Sequence, residues 1–134
     1  MDMERINPSG LARPSGFSHA VSAPPGRLVF LAGQLGTARD GQVAPGGIVA
    51  QFEQALSNLL AALAAAGGHP SDLASLTIYL TDVEDYQAHG KEIGAVWRRL
   101  AGSDYPAMAG VGVTGLWLPG AVVEIQGIAV IGAG

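Results

Sequence analysis

The segment Val122-Val123-Glu124-Ile125-Gln126-Gly127-Ile128-Ala129-Val130 lies near the carboxyl end of the chain and is apolar at most of its positions. A nearly unbroken run of aliphatic and β-branched residues favours a strand that is buried within a sheet. We therefore predict a core strand over Ala121–Ile131. One charged residue, Glu124, interrupts this run. The predicted central strand of the sheet thus also carries a candidate catalytic residue.

The residues before this strand predict a further strand and two helices. Met108–Val113 is a second strand, and a loop with Trp117 separates it from the first. Apolar residues recur at helical spacing from Ile48 to Ala66, which predicts an amphipathic helix. The segment Thr81-Asp82-Val83-Glu84 matches a capping box, and we expect it to begin a second helix that continues to Leu100.

Shorter strands complete the predicted order of elements. Polar and apolar residues alternate from Ser75 to Thr81, which indicates a strand with one face on the core. Strands are also predicted at 4–6, 18–23 and 27–32. The order of strands, helix, strand, helix and strands indicates an α+β fold in which two helices lie on one face of a mixed sheet. No linker or repeat divides the chain, so we expect residues 1–134 to form one domain.

The composition excludes several classes of protein. The 134 residues include no cysteine, which excludes disulfide scaffolds and thiolate chemistry. A net charge of -4 argues against a protein that binds nucleic acid by neutralising phosphates. Charged residues make up 13% of the chain, against about 25% in ordinary soluble domains. So few charges leave apolar surface facing outward, and we therefore expect a homo-oligomer, although many of the apolar residues are alanines.

The sequence also leads us to expect neither a membrane partner nor a metal. Residues 1–20 lack the pattern of a secretory leader, and no stretch reaches the roughly 18 apolar residues of a membrane span, so we expect a cytoplasmic protein. His19, His69 and His89 are isolated from other metal ligands. The segment Gly33-Gln34-Leu35-Gly36 does not match a nucleotide-binding fingerprint. We expect no cofactor.

Glu124 has two interpretations. An ionised carboxylate within a core strand carries a large desolvation cost unless water or hydrogen-bond donors reach it. In the first interpretation, Glu124 opens on a cavity, where it acts as an acid or base or holds a water in place. In the second, it ties down neighbouring backbone amides or lies on a solvated face of the sheet. The spacing alone does not separate the two.

Six segments, in their order along the chain, resemble the Rid family, which is also called the YjgF or L-PSP endoribonuclease-like family. The resemblance runs from about Gly16 to Val130. The segments that carry it are Gly16-Phe17-Ser18-His19-Ala20-Val21, Leu28-Val29-Phe30-Leu31-Ala32-Gly33-Gln34, Ala55-Leu56-Ser57-Asn58-Leu59 with Ala65-Ala66-Gly67, Leu80-Thr81-Asp82, Tyr105-Pro106-Ala107 and Val123-Glu124-Ile125.

The resemblance implies a chorismate-mutase-like α+β fold that assembles as a homotrimer around a central β-barrel, with clefts between neighbouring subunits. It also implies hydrolysis of enamines and imines to 2-oxo acids and ammonia. Other members of the family are described as endoribonucleases. The acidic charge of this chain disfavours that last alternative.

The resemblance also implies the residues of a site. Glu124 matches the family glutamate that is thought to position the attacking water, and is the candidate catalytic residue. Gly33 and Gly110 match positions near which backbone amides line the cleft. Phe17 stands where the family has a tyrosine, and Ser18 is the serine that follows it. The candidates for substrate binding are thus Gly33, Gly110, Phe17 and Ser18.

Met108 is the fifth candidate for substrate binding, and it departs from the family pattern. It stands where active deaminases carry an arginine that grips the substrate carboxylate, and a thioether offers neither a charge nor a donor. We therefore expect the cleft to bind a small, uncharged or weakly polar metabolite, with hydrolysis or tautomerisation assisted by Glu124. One alternative is an imine deaminase in which Arg98 or Arg99 replaces the missing arginine. Another is a trimer whose cleft is filled by Met108.

Overall fold

Six strands and three α-helices form within residues 3–132, which are the residues that the computed structural model describes. A short 3-10 helix over Pro70–Asp72 precedes the fourth strand. The other elements, in chain order, are β1 (Glu4–Ile6), β2 (Ala20–Ser22), β3 (Gly26–Leu35), α1 (Ile48–Ala65), β4 (Leu73–Leu80), α2 (Val83–Ala88), α3 (Gly90–Ala101), β5 (Ala107–Gly112) and β6 (Val123–Gly132).

The strand that contains Glu124 is β6, and it lies inside a four-stranded sheet of order β3-β6-β4-β5. It pairs antiparallel with β3 on one side and with β4 on the other, whereas β4 and β5 run parallel. The sheet is therefore mixed, as predicted. β1 and β2 form a separate antiparallel pair.

The helices cover one face of this sheet. α1 packs on β3 and β6 and against α3, while α2 packs on β5. The apolar periodicity that predicts α1 corresponds to its buried side, so the burial of that side stabilises the helix against the sheet. The buried residues of α1 are Ile48, Gln51, Phe52, Ala55, Leu56, Leu59 and Leu63. The predicted α+β arrangement, with helices on one face of a mixed sheet, is confirmed.

The other face of the sheet, named the open face below, carries none of the helices within the described residues. Leu28, Phe30 and Ile128 lie on it and are exposed to 58%, 73% and 36%. Their register places them together, because Phe30 is paired with Ile128 and Leu28 with Val130 in the neighbouring strand. This is the outward-facing apolar surface that the low charge content predicts.

The second predicted helix differs from the structure in two ways. Its first capping residue is Asp82 and not Thr81, because the Asp82 carboxylate accepts a hydrogen bond from the backbone amide of Asp85 at 3.0 Å. The helix is also interrupted at His89, whose φ of -107° and ψ of 19° are not helical. Gly90 follows at once, and glycine is a poor helix former. The predicted helix is thus two helices, α2 and α3.

α1 corrects one further expectation. It is long and apolar enough, by length and composition alone, to cross a membrane. The sequence had led us to expect no stretch of that length. A core helix passes the same test, and Phe52, Leu56 and Leu63 of this helix are 0–1% exposed against the rest of the core.

Candidate functional site

The register of the sheet places Glu124 and Met108 on opposite faces. Glu124 is paired with Tyr79 of β4, whereas Met108 is paired with Leu76 of the same strand. Paired residues in neighbouring strands point to the same face, and residues an odd number apart in one strand point to opposite faces. Leu76 is buried beneath the helices. Met108 therefore lies on the helix side, and Glu124 lies on the open face.

The open face carries a cavity of about 750 Å³ beside Glu124, named the Glu124 cavity below. It is lined by Gly33, Leu35, Tyr79, Val113, Gly115, Leu116, Trp117, Glu124 and Gln126. Glu124 is half-buried and is the one charged side chain among these described residues. The carboxylate opens on a cavity, as in the first interpretation of this residue, and it also lies on the face of the sheet without helices, as in the second, so its role stays a prediction.

Gly33 is required where it stands because the Glu124 carboxylate lies against it. Gly33 belongs to a β-bulge, since β3 carries two residues, Ala32 and Gly33, where β6 carries only Gln126. A Cβ built on Gly33 would collide with Glu124 Oε2. Bulges re-aim side chains and occur next to functional sites. The bulge and the missing side chain together give the carboxylate its place in the cavity.

A hydrogen bond orders the polar wall of this cavity. The Tyr79 hydroxyl donates to Gln126 Oε1 at 2.8 Å, across the pairing of β4 and β6. Gln126 is two residues from Glu124 and therefore faces the same cavity. Because its amide oxygen accepts from Tyr79, its amide nitrogen remains as a donor towards the cavity.

Met108 lies in a groove on the other face of the sheet. It is half-buried, packs against the hydrophobic core and lines a cavity of about 230 Å³ together with Phe17, Gly110 and Tyr86. A Cβ built on Gly110 would meet no atom within 4 Å, so the groove is open beside it. Three of the predicted site residues, Phe17, Met108 and Gly110, are thus brought together.

A second cavity, of about 750 Å³, adjoins the first along α3, and the two share Met108 and Tyr86. We name the two together the Met108 groove. Lys91 and Arg98 line this second cavity, so the groove carries two cations. Arg99 is turned away, because its guanidinium pairs with Glu53 at 2.6 Å. Of the two arginines that the sequence leaves open as replacements, Arg98 is the one beside Met108.

Tyr86 joins the two parts of the groove. It packs edge-to-face on Phe52, with ring centroids 6.1 Å apart. Burial raises the pKa of the Tyr86 hydroxyl above its usual value, so the group is a neutral phenol at physiological pH. Trp97 and Tyr105 stack with centroids 5.9 Å apart and form another wall of the groove.

Ser18 has a structural position. It is 4% exposed, its hydroxyl donates to the Tyr105 carbonyl at 2.6 Å, and its backbone amide donates to the Pro106 carbonyl at 2.9 Å. These bonds fix the loop that carries Phe17 next to the start of β5. The binding role of Ser18 stays a prediction, and in this structure its hydroxyl is engaged with the backbone.

The two faces thus divide the predicted site residues. Gly33 and Glu124 line one cavity, and Phe17, Met108 and Gly110 line the groove on the opposite face. Five further residues complete the two parts and were not predicted from the sequence as site residues. They are Tyr79, Gln126 and Trp117 on the open face and Tyr86 and Lys91 on the helix side. Within residues 3–132, no group of three or more potential metal ligands is found.

Comparisons with known proteins identify the family. The family model described as Endoribonuclease L-PSP matches residues 10–131. The 2-iminobutanoate/2-iminopropanoate deaminase of Capra hircus is 36% identical over 107 residues, which are 79% of this chain and 74% of the relative.

Solved structures agree with this assignment. A protein of unknown function of the conserved Rid family, YyfB from Yersinia pestis, has a TM-score of 0.86 and 34% identity, with 98% of this chain and 100% of that chain covered. RidA from an Antarctic Psychrobacter has a TM-score of 0.69 and 33% identity, with 90% and 92% covered. The fold is therefore the chorismate-mutase-like α+β fold, and the chain belongs to the Rid family, the family described as Endoribonuclease L-PSP.

Proposed function

We propose that this protein assembles as a homotrimer and binds a small metabolite in clefts between neighbouring protomers, where Glu124 directs hydrolysis. The observation that carries this proposal is the placement of Glu124 and Met108 on opposite faces of one sheet. No single protomer brings the two parts into one cavity, whereas the Glu124 cavity of one protomer can meet the Met108 groove of the next. The exposed Leu28 and Phe30 on the open face supply apolar surface for such an assembly.

The chemistry of the Glu124 cavity favours addition of water to a carbon–nitrogen double bond. The Glu124 carboxylate accepts a proton from a water molecule while the water oxygen bonds to the imine carbon. This proton then passes to the nitrogen and gives a carbinolamine. The carboxylate next takes the proton of the new hydroxyl group and passes it to the nitrogen, and the C–N bond breaks, so that ammonia leaves as the carbonyl forms. The same carboxylate can move a proton between carbon and nitrogen, which is a tautomerisation. In both cases the site needs no cofactor.

The Met108 side chain favours a substrate without a carboxylate. Charge-assisted hydrogen bonds contribute about 1.5–3 kcal/mol each, and the Met108 thioether supplies none at the position that the family resemblance assigns to an arginine. The walls around Met108 are apolar and aromatic, through Phe17 and Tyr86. We therefore propose a small neutral or weakly polar imine as the substrate.

A second candidate function is the deamination of 2-imino acids. Lys91 and Arg98 line the Met108 groove and offer charge that a substrate carboxylate can pair with. A relative that is 36% identical is named a 2-iminobutanoate/2-iminopropanoate deaminase. In this candidate, Arg98 takes the role of the anchor and Glu124 keeps its role towards water.

Cross-linking tests the shared cleft, because the chain has no cysteine of its own. Gly110→Cys and Gly115→Cys place one thiol in the groove and one in the Glu124 cavity, and both positions have open space for a side chain. The two variants, co-expressed with tags of different size, should be joined by a short bismaleimide. Gly10→Cys with Gly110→Cys is the matched control, since Gly10 also has open space but lies outside both cavities. Equal cross-linking of both pairs would contradict the cleft.

Ammonia release separates the two candidate reactions. Freshly generated 2-iminopropanoate and its carboxamide analogue differ only in the charge that an anchor would bind. The neutral analogue should be hydrolysed at least as fast, and Glu124→Gln should slow it about 100-fold. Preference for the carboxylate, lost in Arg98→Gln and kept in Arg99→Gln, would instead establish the second candidate. Met108→Arg should gain affinity for small carboxylates.

A further inference from the structure

The loop between β5 and β6 places a large aromatic side chain at the Glu124 cavity. Trp117 lines this cavity and is 87% exposed. The chain has one other tryptophan, Trp97, which is 4% exposed and stacked on Tyr105. An indole ring carries a large apolar face whose contact with water is unfavourable. Its place at the wall of a cavity gives that face a surface on which a flat molecule can stack.

The apolar patch of the open face lies further along β6 than Glu124. Ile128 is four residues further along β6 than Glu124, which is about 13 Å in a strand. Phe30 and Ile128 lie near the middle of β3 and β6, so a protomer that covers them is centred on the middle of the sheet and not on Glu124. In the proposed cleft the neighbouring protomer closes over the Glu124 cavity, so Trp117 lies at the wall of the cleft. We therefore assign its exposed ring to the ligand that the cleft holds.

The polar wall beside Trp117 offers one acceptor and one donor. Glu124 presents carboxylate oxygens, and Gln126 presents its amide nitrogen because Tyr79 holds its amide oxygen. The two side chains are two positions apart on β6, about 7 Å between Cα atoms, and both are long enough to converge. A molecule that carries an N–H and a C=O satisfies both groups.

We propose that the Glu124 cavity selects planar, uncharged rings that contain an amide, with the ring stacked on Trp117, its N–H donated to Glu124 and its C=O bonded to Gln126. This inference rests on the proposed function in one respect, namely that the Glu124 cavity is a ligand site. It goes beyond that function by naming the class of compound. Trp117 and Gln126 are then specificity-determining residues.

Three small probes test the three contacts. 2-Pyridone has a flat aromatic ring with an N–H and a C=O, 2-piperidone keeps the amide in a saturated ring, and N-methyl-2-pyridone lacks the N–H. Calorimetry on the assembled protein should give 2-pyridone about ten-fold tighter binding than 2-piperidone, the usual scale of one stacked ring. 2-Pyridone should also bind more tightly than N-methyl-2-pyridone, because the N-methyl compound has no N–H to donate to Glu124.

Variants assign the effect to the residues. Trp117→Leu should remove the preference for 2-pyridone over 2-piperidone, and Trp117→Phe should retain most of it. Leu116→Ala is the matched control, because Leu116 lines the same cavity without a ring to stack. Gln126→Leu should weaken 2-pyridone and 2-piperidone alike. Equal affinity for the two probes, no binding of 2-pyridone, or an unchanged preference in Trp117→Leu would overturn the inference.

The emission of Trp117 gives an independent readout. The emission spectrum of the protein minus that of Trp117→Leu gives the emission of Trp117. Acrylamide should quench this emission, and bound 2-pyridone should protect it from acrylamide. Protection without any ligand would place Trp117 in a contact between protomers and overturn the inference. Loss of the cross-link with retained 2-pyridone binding would instead overturn the proposed cleft and leave the role of Trp117 standing.

Discussion

The two parts of the candidate site are built in different ways. The Glu124 cavity takes its main walls from β3, β4 and β6, which are three adjacent strands of one sheet. The Met108 groove is assembled from separate segments, namely the loop before β2, the helices α2 and α3 and the edge strand β5. The ladder of backbone hydrogen bonds fixes the first part, and the docking of loops and helices fixes the second.

The two parts are therefore sensitive to different changes. A carboxylate on a central strand keeps its position as long as the sheet is intact. The groove depends on how α2 and α3 meet at His89 and on how Ser18 ties its loop to Tyr105. We expect changes in assembly to affect both parts, and local changes to affect one part alone.

Phe30→Asp should have the largest effect, because the proposed cleft needs the open face to be covered. Full burial of such a ring contributes about 1.5–3 kcal/mol, and an unpaired carboxylate in its place costs several kcal/mol. Light scattering should show the mass fall from three chains to one, and turnover should be lost although neither part of the site is changed.

The control for this prediction is Leu11→Asp. Leu11 is 53% exposed on the loop before β2, outside the sheet, and its variant should remain a trimer. A stable trimer of Phe30→Asp would mean that a different face makes the contacts between protomers. The two parts of the site would then need another way to meet.

Gly33→Ala should break the Glu124 cavity and leave the groove intact. The added methyl group collides with Glu124 Oε2. Because the carboxylate is the end of a flexible side chain and can swing away, the free energy of unfolding should fall by only about 1 kcal/mol. Turnover should fall about 100-fold, since the displaced carboxylate no longer positions water.

Two other glycines serve as controls for Gly33→Ala. Gly115 lines the same cavity and Gly110 lines the groove, and a Cβ at either position meets no atom within 4 Å. Alanine there should change the free energy of unfolding by no more than about 0.5 kcal/mol. If Gly33→Ala retains full turnover, the position of the Glu124 carboxylate against Gly33 is not the productive one.

How far the sequence predicts each part follows from the same difference. Glu124 stands out because a charge within an apolar strand is costly, and the alternation along Ser75–Thr81 predicts the faces on which its neighbours lie. No local pattern predicts that Lys91 and Arg98 lie beside Met108. Their placement depends on the break at His89, which the continuous apolar stripe of that helix conceals.

Trp117 and Gln126 mark a second limit. Trp117 is a residue in a loop, and nothing in the loop sequence predicts which cavity its ring lines. From the sequence, Gln126 is predicted only as a polar residue on an exposed face of a strand. Its orientation is set by a hydrogen bond from Tyr79, which is 47 residues away along the chain. Contacts of this range depend on the pairing of β4 and β6, which the sequence alone leaves unassigned.

The titration of His89 should have the smallest effect of these changes, and it should alter the structure of the Met108 groove alone. A hydrogen bond to the Asp85 carbonyl, and the charges of Asp85 and Glu92, raise the pKa of His89 above its usual value. These interactions stabilise the charged imidazole in the folded protein. Since the pKa is higher in the folded protein, this stabilisation is present at acidic pH and is lost as the pH rises through the folded pKa.

Raising the pH from about 6 to 8 should therefore loosen the junction of α2 and α3. Nuclear magnetic resonance should show shifts at Tyr86 and Lys91 that follow the titration of the His89 ring, with the Glu124 cavity unchanged. His89→Asn should abolish these shifts, because it has no proton to lose in this range. If the signals of Gly33 and Glu124 moved together with those of Tyr86, the two parts would be coupled within one protomer, and the division of the site between a rigid sheet and a docked groove would be wrong.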